Sequence, residues 1–360
     1  MARRRGVHRV PADHPDRTAR AGDVRQRPAE AGETDTADEF RAPGGAGAMI
    51  DYLTTVGALT GIFAIAAIGL NITTGFAGVF SAAQAVFMGI GAYVTALLAP
   101  EVGGSLVVCA LAGVALAVVV AFVLASAALR VSEEYFMVAS LAFQIIVSTV
   151  LISWYSVTKG TDGIPGIPIP TIMGAELSDQ AGQTVLIWAV VAVMVGLTAV
   201  LRRGSVGRLF YAIREDPIAT QTLGRSPIAG KYAAIMLGAA VSALGGVLYA
   251  FYTGFVNSAT FDYAMSIKLV AIVVVGGIGL AIGPVVGSAV IIAVIPLISL
   301  LDLPSTAVGP LQQLVYGLLI IAVVVLRGYL TGGGLRALRR RHRSTLPSSA
   351  SRIDTERVPT

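Results

Sequence analysis

The chain has 360 residues, of which 55% are hydrophobic and only 13% charged, with a net charge of +5 and a mean hydropathy of +0.77. A soluble domain carries about 25% charged residues, so this composition excludes a soluble fold and points to a polytopic membrane protein. The basic excess lies in the tails and at the ends of apolar segments, where topology and anionic lipid account for it, so no nucleic-acid partner is read from it.

Residues 1–48 are rich in Arg, Asp, Glu, Ala, Gly and Pro and nearly devoid of large apolar side chains. Such a stretch cannot bury enough surface to offset the entropy of ordering, and it is expected to be a disordered tail. Met49 stands directly before the first apolar run, which leads us to expect the natural start there, the preceding tail being an artefact of start assignment. Apolar segments then follow at 52–70, 81–99, 105–129, 136–153, 184–201, 232–251, 266–280, 282–301 and 311–326. Several are short against the roughly 20 residues a spanning helix needs. The expected fold is therefore an all-α, polytopic integral membrane protein of about eight to ten transmembrane helices, with a permease-like body over 49–330 and a basic, disordered cytoplasmic tail over 331–360.

Within the apolar body the longest charge-bearing interruption is 201–231. It holds Arg202, Arg203, Arg208, Arg214, Arg225 and Lys231 against only Glu215 and Asp216. The positive-inside rule places it in the cytoplasm, and the Arg-rich C-terminal tail, four apolar segments later, agrees. Nine crossings then put Met49 on the outer side; a re-entrant Gly-rich segment is the alternative. Leu209, Ala212 and Ile213 recur at helical spacing among Arg208, Arg214 and Glu215, while Asp216-Pro217 supplies the acceptor and preset φ of a second helix start and Gly224 a stop. Two readings fit this loop: an amphipathic helix pair offering a docking knob to a soluble partner, or a solvated basic loop that fixes topology.

Two segments stand out for small residues. One runs through Gly69, Asn71, Thr74, Gly75 and Gly78 to Ser81, Gln84, Gly89 and Gly91; the other holds Gly276, Gly277, Gly279, Gly283 and Gly287. Glycine interruptions can free backbone groups to line a polar passage, and equally they can serve close helix packing. The candidate translocation path is Asn71, Thr74, Gly75, Gly78, Ser81, Gln84, Gln144, Gly276, Gly277 and Gly279.

Residues able to carry chemistry are few. His8, His14 and His342 lie in the tails, the lone Cys109 sits in an apolar run, and no phosphate-binding G-x-x-x-x-G-K-[ST] loop occurs. Neither catalytic residues nor a metal site is read, and no ATP hydrolysis by this chain. Lys268 is the one exception to a scarcity of intramembrane charge, and its place near the outer end of its segment suggests snorkelling. A secondary transporter would call for buried acids in mid-span, and an intramembrane enzyme for paired acids, histidines or a serine with a base.

Gly69-Leu-Asn-Ile-Thr-Thr-Gly-Phe-Ala-Gly78 followed by Ser81-Ala-Ala-Gln-Ala-Val-Phe-Met-Gly-Ile-Gly-Ala-Tyr93 resembles the first signature of branched-chain amino acid ABC transporter permeases of the LivM type. Tyr135-Phe, Leu141-Ala-Phe, Thr158-Lys-Gly-Thr-Asp-Gly163, residues 208–224 and Phe261-Asp-Tyr-Ala-Met-Ser-Ile with Val275-Gly-Gly-Ile-Gly279 extend the resemblance from Met49 to about residue 326. It implies a multi-pass subunit of the bacterial inner membrane that pairs with a second related permease, two cytoplasmic ABC ATPase subunits and an extracytoplasmic substrate-binding protein. ATP and Mg2+ would belong to the ATPases, and this chain would hold no cofactor. The matched coupling residues are Arg208, Leu209, Ala212, Ile213, Arg214, Glu215, Asp216, Pro217, Ala219, Leu223 and Gly224, and the outer segment 160–170 is a candidate contact for the binding protein. Gln84 and Lys268 depart from the pattern. Related permeases carry urea, short amides and other amino acids, which remain alternatives for the cargo.

Overall fold

The computed structural model describes residues 46–128, 133–172, 174–299, 311–323 and 325. The expected tails therefore lie outside the described residues, apart from the first few positions of the opening helix.

All nine apolar segments form helices. α1 spans Ala46–Leu70 and runs on as a π-helical turn, Asn71–Phe76; α2 spans Gln84–Leu98, α3 Leu106–Ala128, α4 Glu133–Ser153 and the short α5 Tyr155–Thr158. After three two-residue strands come α6 at Gln180–Arg203, α7 at Ser205–Glu215, α8 at Pro217–Thr222 and α9 at Pro227–Thr253. A 3-10 turn at Ser258–Phe261 precedes α10 at Tyr263–Gly276 and α11 at Gly283–Ser299, and α12 covers Leu311–Val323. Five helices, α1, α3, α4, α6 and α9, are long and apolar enough to cross a membrane, and α2, α10, α11 and α12 are shorter apolar helices.

The helices differ in where they sit. Of the most apolar stretch of each, 67% of residues are buried in α1 and 72% in α9, against 17% in α4 and in α6, so α1 and α9 form the centre and α4 and α6 the exposed periphery. Small residues make this centre possible. A β-carbon built on Gly91 of α2 would run into the Ala243 carbonyl of α9, and one on Gly246 of α9 into the Met88 carbonyl of α2. Such backbone-to-backbone approach replaces, within lipid, the hydrophobic drive that packs helices in water.

The two faces are distinguished by charge. α6 ends on Arg202 and Arg203 and leads directly into α7, which puts this face in the cytoplasm. On the opposite face the Gln180 amide donates to Thr55 Oγ1 and to Tyr252 Oη, both at 2.9 Å, tying the starts of α6 and α1 to the end of α9. The start of α1 thus lies opposite α7, as nine crossings require. The outer segment is held down by β1 (Ile164–Pro165) paired antiparallel with β4 (Phe255–Val256), with Ile164 opposite Val256 and Pro165 opposite Phe255. β2 (Thr171–Ile172) and β3 (Ala175–Glu176) form a second hairpin beside it.

The helix ends depart from the apolar segments in one informative way. α2 begins at Gln84 rather than Ser81 because Gly78 adopts φ +74 and the chain turns before it, and α10 ends at Gly276 because Gly277 and Gly279 adopt φ +106 and +82. Both interruptions fall on the cytoplasmic side, against α7.

Candidate functional site

α7 is amphipathic along its whole length. It buries Gly207, Phe210 and Ile213 and exposes Arg208, Arg214 and Glu215. The Asp216 carboxylate then caps α8, accepting from the N–H groups of Ile218 at 2.8 Å and Ala219 at 3.0 Å, and Pro217 occupies the first helical position. A side chain acceptor and a preset φ at a helix start stabilise even a short helix. Gly224, at φ +75, ends the pair, and the Ser226 hydroxyl starts α9 by accepting from the Ala229 N–H at 3.3 Å.

The inward face of α7 packs on α9 and on the two glycine-rich interruptions. Ile213 packs where a β-carbon on Gly230 of α9 would stand, with Leu209 beside it. The Tyr211 ring lies 5.5 Å from that of Phe76, and its hydroxyl donates to the Gly279 carbonyl at 3.3 Å. The Arg214 guanidinium donates to the Gly75 carbonyl in the π-helical turn. Its aliphatic stem lies against Gly78, where an added β-carbon would come within 2.9 Å of Arg214 Cγ.

The two glycine-rich interruptions meet at this point. Asn71 is fully buried and bonds both ways, donating from its amide to the Leu280 carbonyl at 2.9 Å and accepting from the Gly279 N–H at 2.8 Å. A β-carbon on Gly75 would stand 2.7 Å from the Gly279 nitrogen. Thr74 closes the turn by donating to the Val79 carbonyl at 3.3 Å. Gly276 packs against Gly283 and Gly287 of α11, and Gly277 donates to Val273 O at 2.9 Å to end α10. The arrangement is a knot of three broken or ended helices, α1, α10 and α11, with α7 bonded onto it from the cytoplasmic side.

The other candidate path residues lie apart from this knot. Gln84 is buried and donates to the Gly238 carbonyl at 3.1 Å and to the Ser242 hydroxyl, which donates onward to the Ala66 carbonyl at 3.0 Å, so it cross-links α2, α9 and α1. Gln144 of α4 donates to the Phe261 carbonyl at 2.9 Å and accepts from Ser266 Oγ of α10 at 3.1 Å; Ser266 in turn accepts from the Ala85 N–H at 3.1 Å. Ser81 accepts from the Ala83 N–H at 3.3 Å in the turn before α2. Gln84 and Gln144 are thus spent on holding helices to one another, and Ser81 on its own turn. A hollow of about 860 Å³ lies elsewhere, lined by apolar residues of α3 and α9 including Phe122, Tyr232 and Met236, and its lining suits lipid rather than a polar cargo.

Lys268 is half-buried on α10. Its ammonium lies 5.0 Å from the centroid of the Phe63 ring, and Phe63 is buried in the middle of α1. Among the described residues no group of three or more His, Cys, Asp and Glu side chains is placed to hold a metal.

Residues 52–324 match the family described as branched-chain amino acid transport system, permease component. The chain belongs to this family of permeases. Similar proteins include the high-affinity branched-chain amino acid transport system permease protein LivM of Escherichia coli K12, 32% identical over 62% of this chain and 58% of that protein. The LivM protein of Salmonella typhimurium LT2 is 33% identical over the same shares. The autoinducer 2 import system permease protein LsrC of Escherichia coli O9:H4 is 27% identical over 44% of this chain and 47% of its own length. The chain thus spans less than two thirds of the length of the LivM proteins it matches. No solved structure matches.

As a member of this family the permease is a multi-pass protein of the inner membrane, and its apolar helices are those the family requires. Its relatives are transport subunits rather than enzymes. Three of its structural residues had no signal in the sequence. Tyr211 is one aromatic among many, and Ser242 and Ser266 look like ordinary small residues of a membrane helix until their partners Gln84 and Gln144 are seen. Ile218 likewise gave no signal as a surface residue: it is 75% exposed in the first turn of α8, and Leu223 just past that helix is 81% exposed, whereas Ile213, which its spacing placed with the docking residues, is 1% exposed.

Proposed function

We propose that this chain is the membrane-spanning permease subunit of an ATP-binding cassette importer for branched-chain or similarly hydrophobic amino acids. The LivM relatives support the cargo class. The partners are a second related permease, two cytoplasmic ATPase subunits that bind ATP and Mg2+, and an extracytoplasmic substrate-binding protein that docks on the outer hairpins around 160–170.

One observation carries the reading: the Arg-rich α7–α8 pair is bonded through Arg214 and Tyr211 to the backbone of both helix interruptions. A loop that served only topology would have no need of such bonds. In the proposed mechanism the ATPases grip Ile218, Ala219 and Leu223, and ATP-driven closure moves α7. Because α7 is bonded to Gly75 and Gly279, the ends of α1 and α10 move with it. The bundle then shifts between outward-open and inward-open populations, with no covalent step in this chain. The cost of moving a zwitterion through hydrocarbon is met by the polar passage that opens between the helices.

The test is co-purification of the chain with its ATPase and permease partners, followed by ATP-dependent leucine uptake into proteoliposomes supplied with the binding protein. Uptake that needs all four components supports the proposal. Uptake driven by an ion gradient without the ATPases contradicts it.

A further inference from the structure

Lys268 poses a problem that the coupling knot does not solve. From residue 61 to residue 73, α1 is buried on every side, and Phe63 within that stretch is 4% exposed. The Lys268 side-chain nitrogen lies over the Phe63 ring, so the cationic end of the side chain reaches the surface of the central helix, at the middle of a span that runs over Asp51–Phe76. The ring face attracts the cation, but such contacts return only part of what an ammonium loses on leaving water. Asp262 attracts it through space, yet its carboxylate is engaged in capping α10, accepting from the Met265 N–H at 3.1 Å. Among the described residues no carboxylate forms an ion pair with Lys268.

A cation set against the central helix, with no ion pair among the described residues, is by default a functional-site candidate. Its neighbours set its place in the machine. Eight residues further along α10 is Gly276, at the edge of the coupling knot, and eight further along α1 from Phe63 is Asn71, inside it. The ammonium therefore sits about two turns of helix above the knot, between the two helices that α7 would move.

We propose that Lys268 is the transient contact for the carboxylate of the amino acid as it passes the middle of the membrane. This rests on the transport reading given above. The α-carboxylate is the one group common to hydrophobic amino acids that a lone cation can recognise, and the side chain is left to apolar surroundings. A single, flexible ammonium suits a passing ligand, because the contact is strong enough to lower the cost of entry and lacks the second bond that would make it a trap.

The experiment uses the full four-component transporter in proteoliposomes with labelled leucine. Wild-type uptake tests the underlying reading by itself; a wild-type complex that takes up no leucine overturns the cargo reading and the role of Lys268 with it. Given uptake, Lys268→Met is expected to lower its maximal rate about tenfold or more, with assembly and ATP hydrolysis retained, and Lys268→Arg to keep most of the rate. In a Lys268→Cys variant, attaching a 2-aminoethyl group should restore uptake, and attaching a neutral methyl group should not. Unchanged uptake in Lys268→Met, or equal rescue by the neutral reagent, overturns the proposal. So does loss of the second permease from the Lys268→Met complex, which would make the lysine a pairing group between subunits.

Discussion

Arg214, on the cytoplasmic helix α7, donates a hydrogen bond to the main-chain carbonyl of Gly75 inside the membrane domain. The carbonyl is available because α1 ends there in a π-helical turn rather than in regular α-helix. A backbone interruption and a charged side chain from a different part of the chain thus complete one another. Whatever displaces α7 pulls on α1 directly, and through Tyr211 and Gly279 on the end of α10.

The two isoleucines of the loop should behave in opposite ways. Ile213 is 1% exposed and packed on α9, so Ile213→Asp buries an unpaired charge and is predicted to cost about 3 kcal/mol or more, seen as loss of folded protein in detergent extracts. Ile218→Asp, at a position 75% exposed, should leave the fold intact and abolish co-purification with the ATPases. Retention of the ATPases by Ile218→Asp would show that the first turn of α8 is not the docking surface.

Asn71 is the rivet between the interruptions. Asn71→Leu removes both of its bonds and leaves the buried Gly279 N–H without that partner, at about 1–3 kcal/mol, with a smaller cost at the half-exposed Leu280 carbonyl. We predict a clear fall in Tm in detergent, greater than that of Thr74→Val, whose single bond is local to the turn. Equal Tm values for the two variants would mean that the interruptions do not support one another.

Gly78 tests the contact from the other side. Its φ of +74 disfavours any β-carbon, and a β-carbon there would press within 2.9 Å of Arg214 Cγ. Gly78→Ala should therefore cost about 1–2 kcal/mol in backbone strain and also push Arg214 aside, lowering uptake further than the loss of folded protein explains. Uptake that falls only in proportion to folded protein would separate Gly78 from coupling.

The nine helices and the cytoplasmic pair were legible in the sequence because hydropathy, charge asymmetry and capping act locally. The apolar runs need no partner to be recognised, and neither does the Asp216-Pro217 start or the Gly224 stop. The meeting of the two glycine-rich segments was not legible: Asn71 and Gly279 are more than 200 residues apart, and nothing local to either names the other. The same holds for Gln84 and Gln144, which read as path-lining groups because an intramembrane amide is costly unless used. The sequence does not say whether the use is a cargo or the carbonyl of a neighbouring helix, and the structure bonds both of them within the bundle. The contact that Lys268 makes was not legible for a related reason. Its position along α10 was clear, but the direction of its side chain depends on Phe63, two hundred residues earlier.

The most direct test of the central claim is the ratio of leucine imported to ATP hydrolysed in the reconstituted transporter, for wild type, Arg214→Ala and the control Arg208→Ala. Arg208 donates to the nearby Arg203 carbonyl, at 2.9 Å, and among the described residues to neither helix interruption. If α7 moves the membrane helices through the Gly75 carbonyl, Arg214→Ala should keep its ATPases and go on hydrolysing ATP while the ratio falls about tenfold or more, and Arg208→Ala should match wild type. A ratio in Arg214→Ala equal to that of wild type would contradict the account.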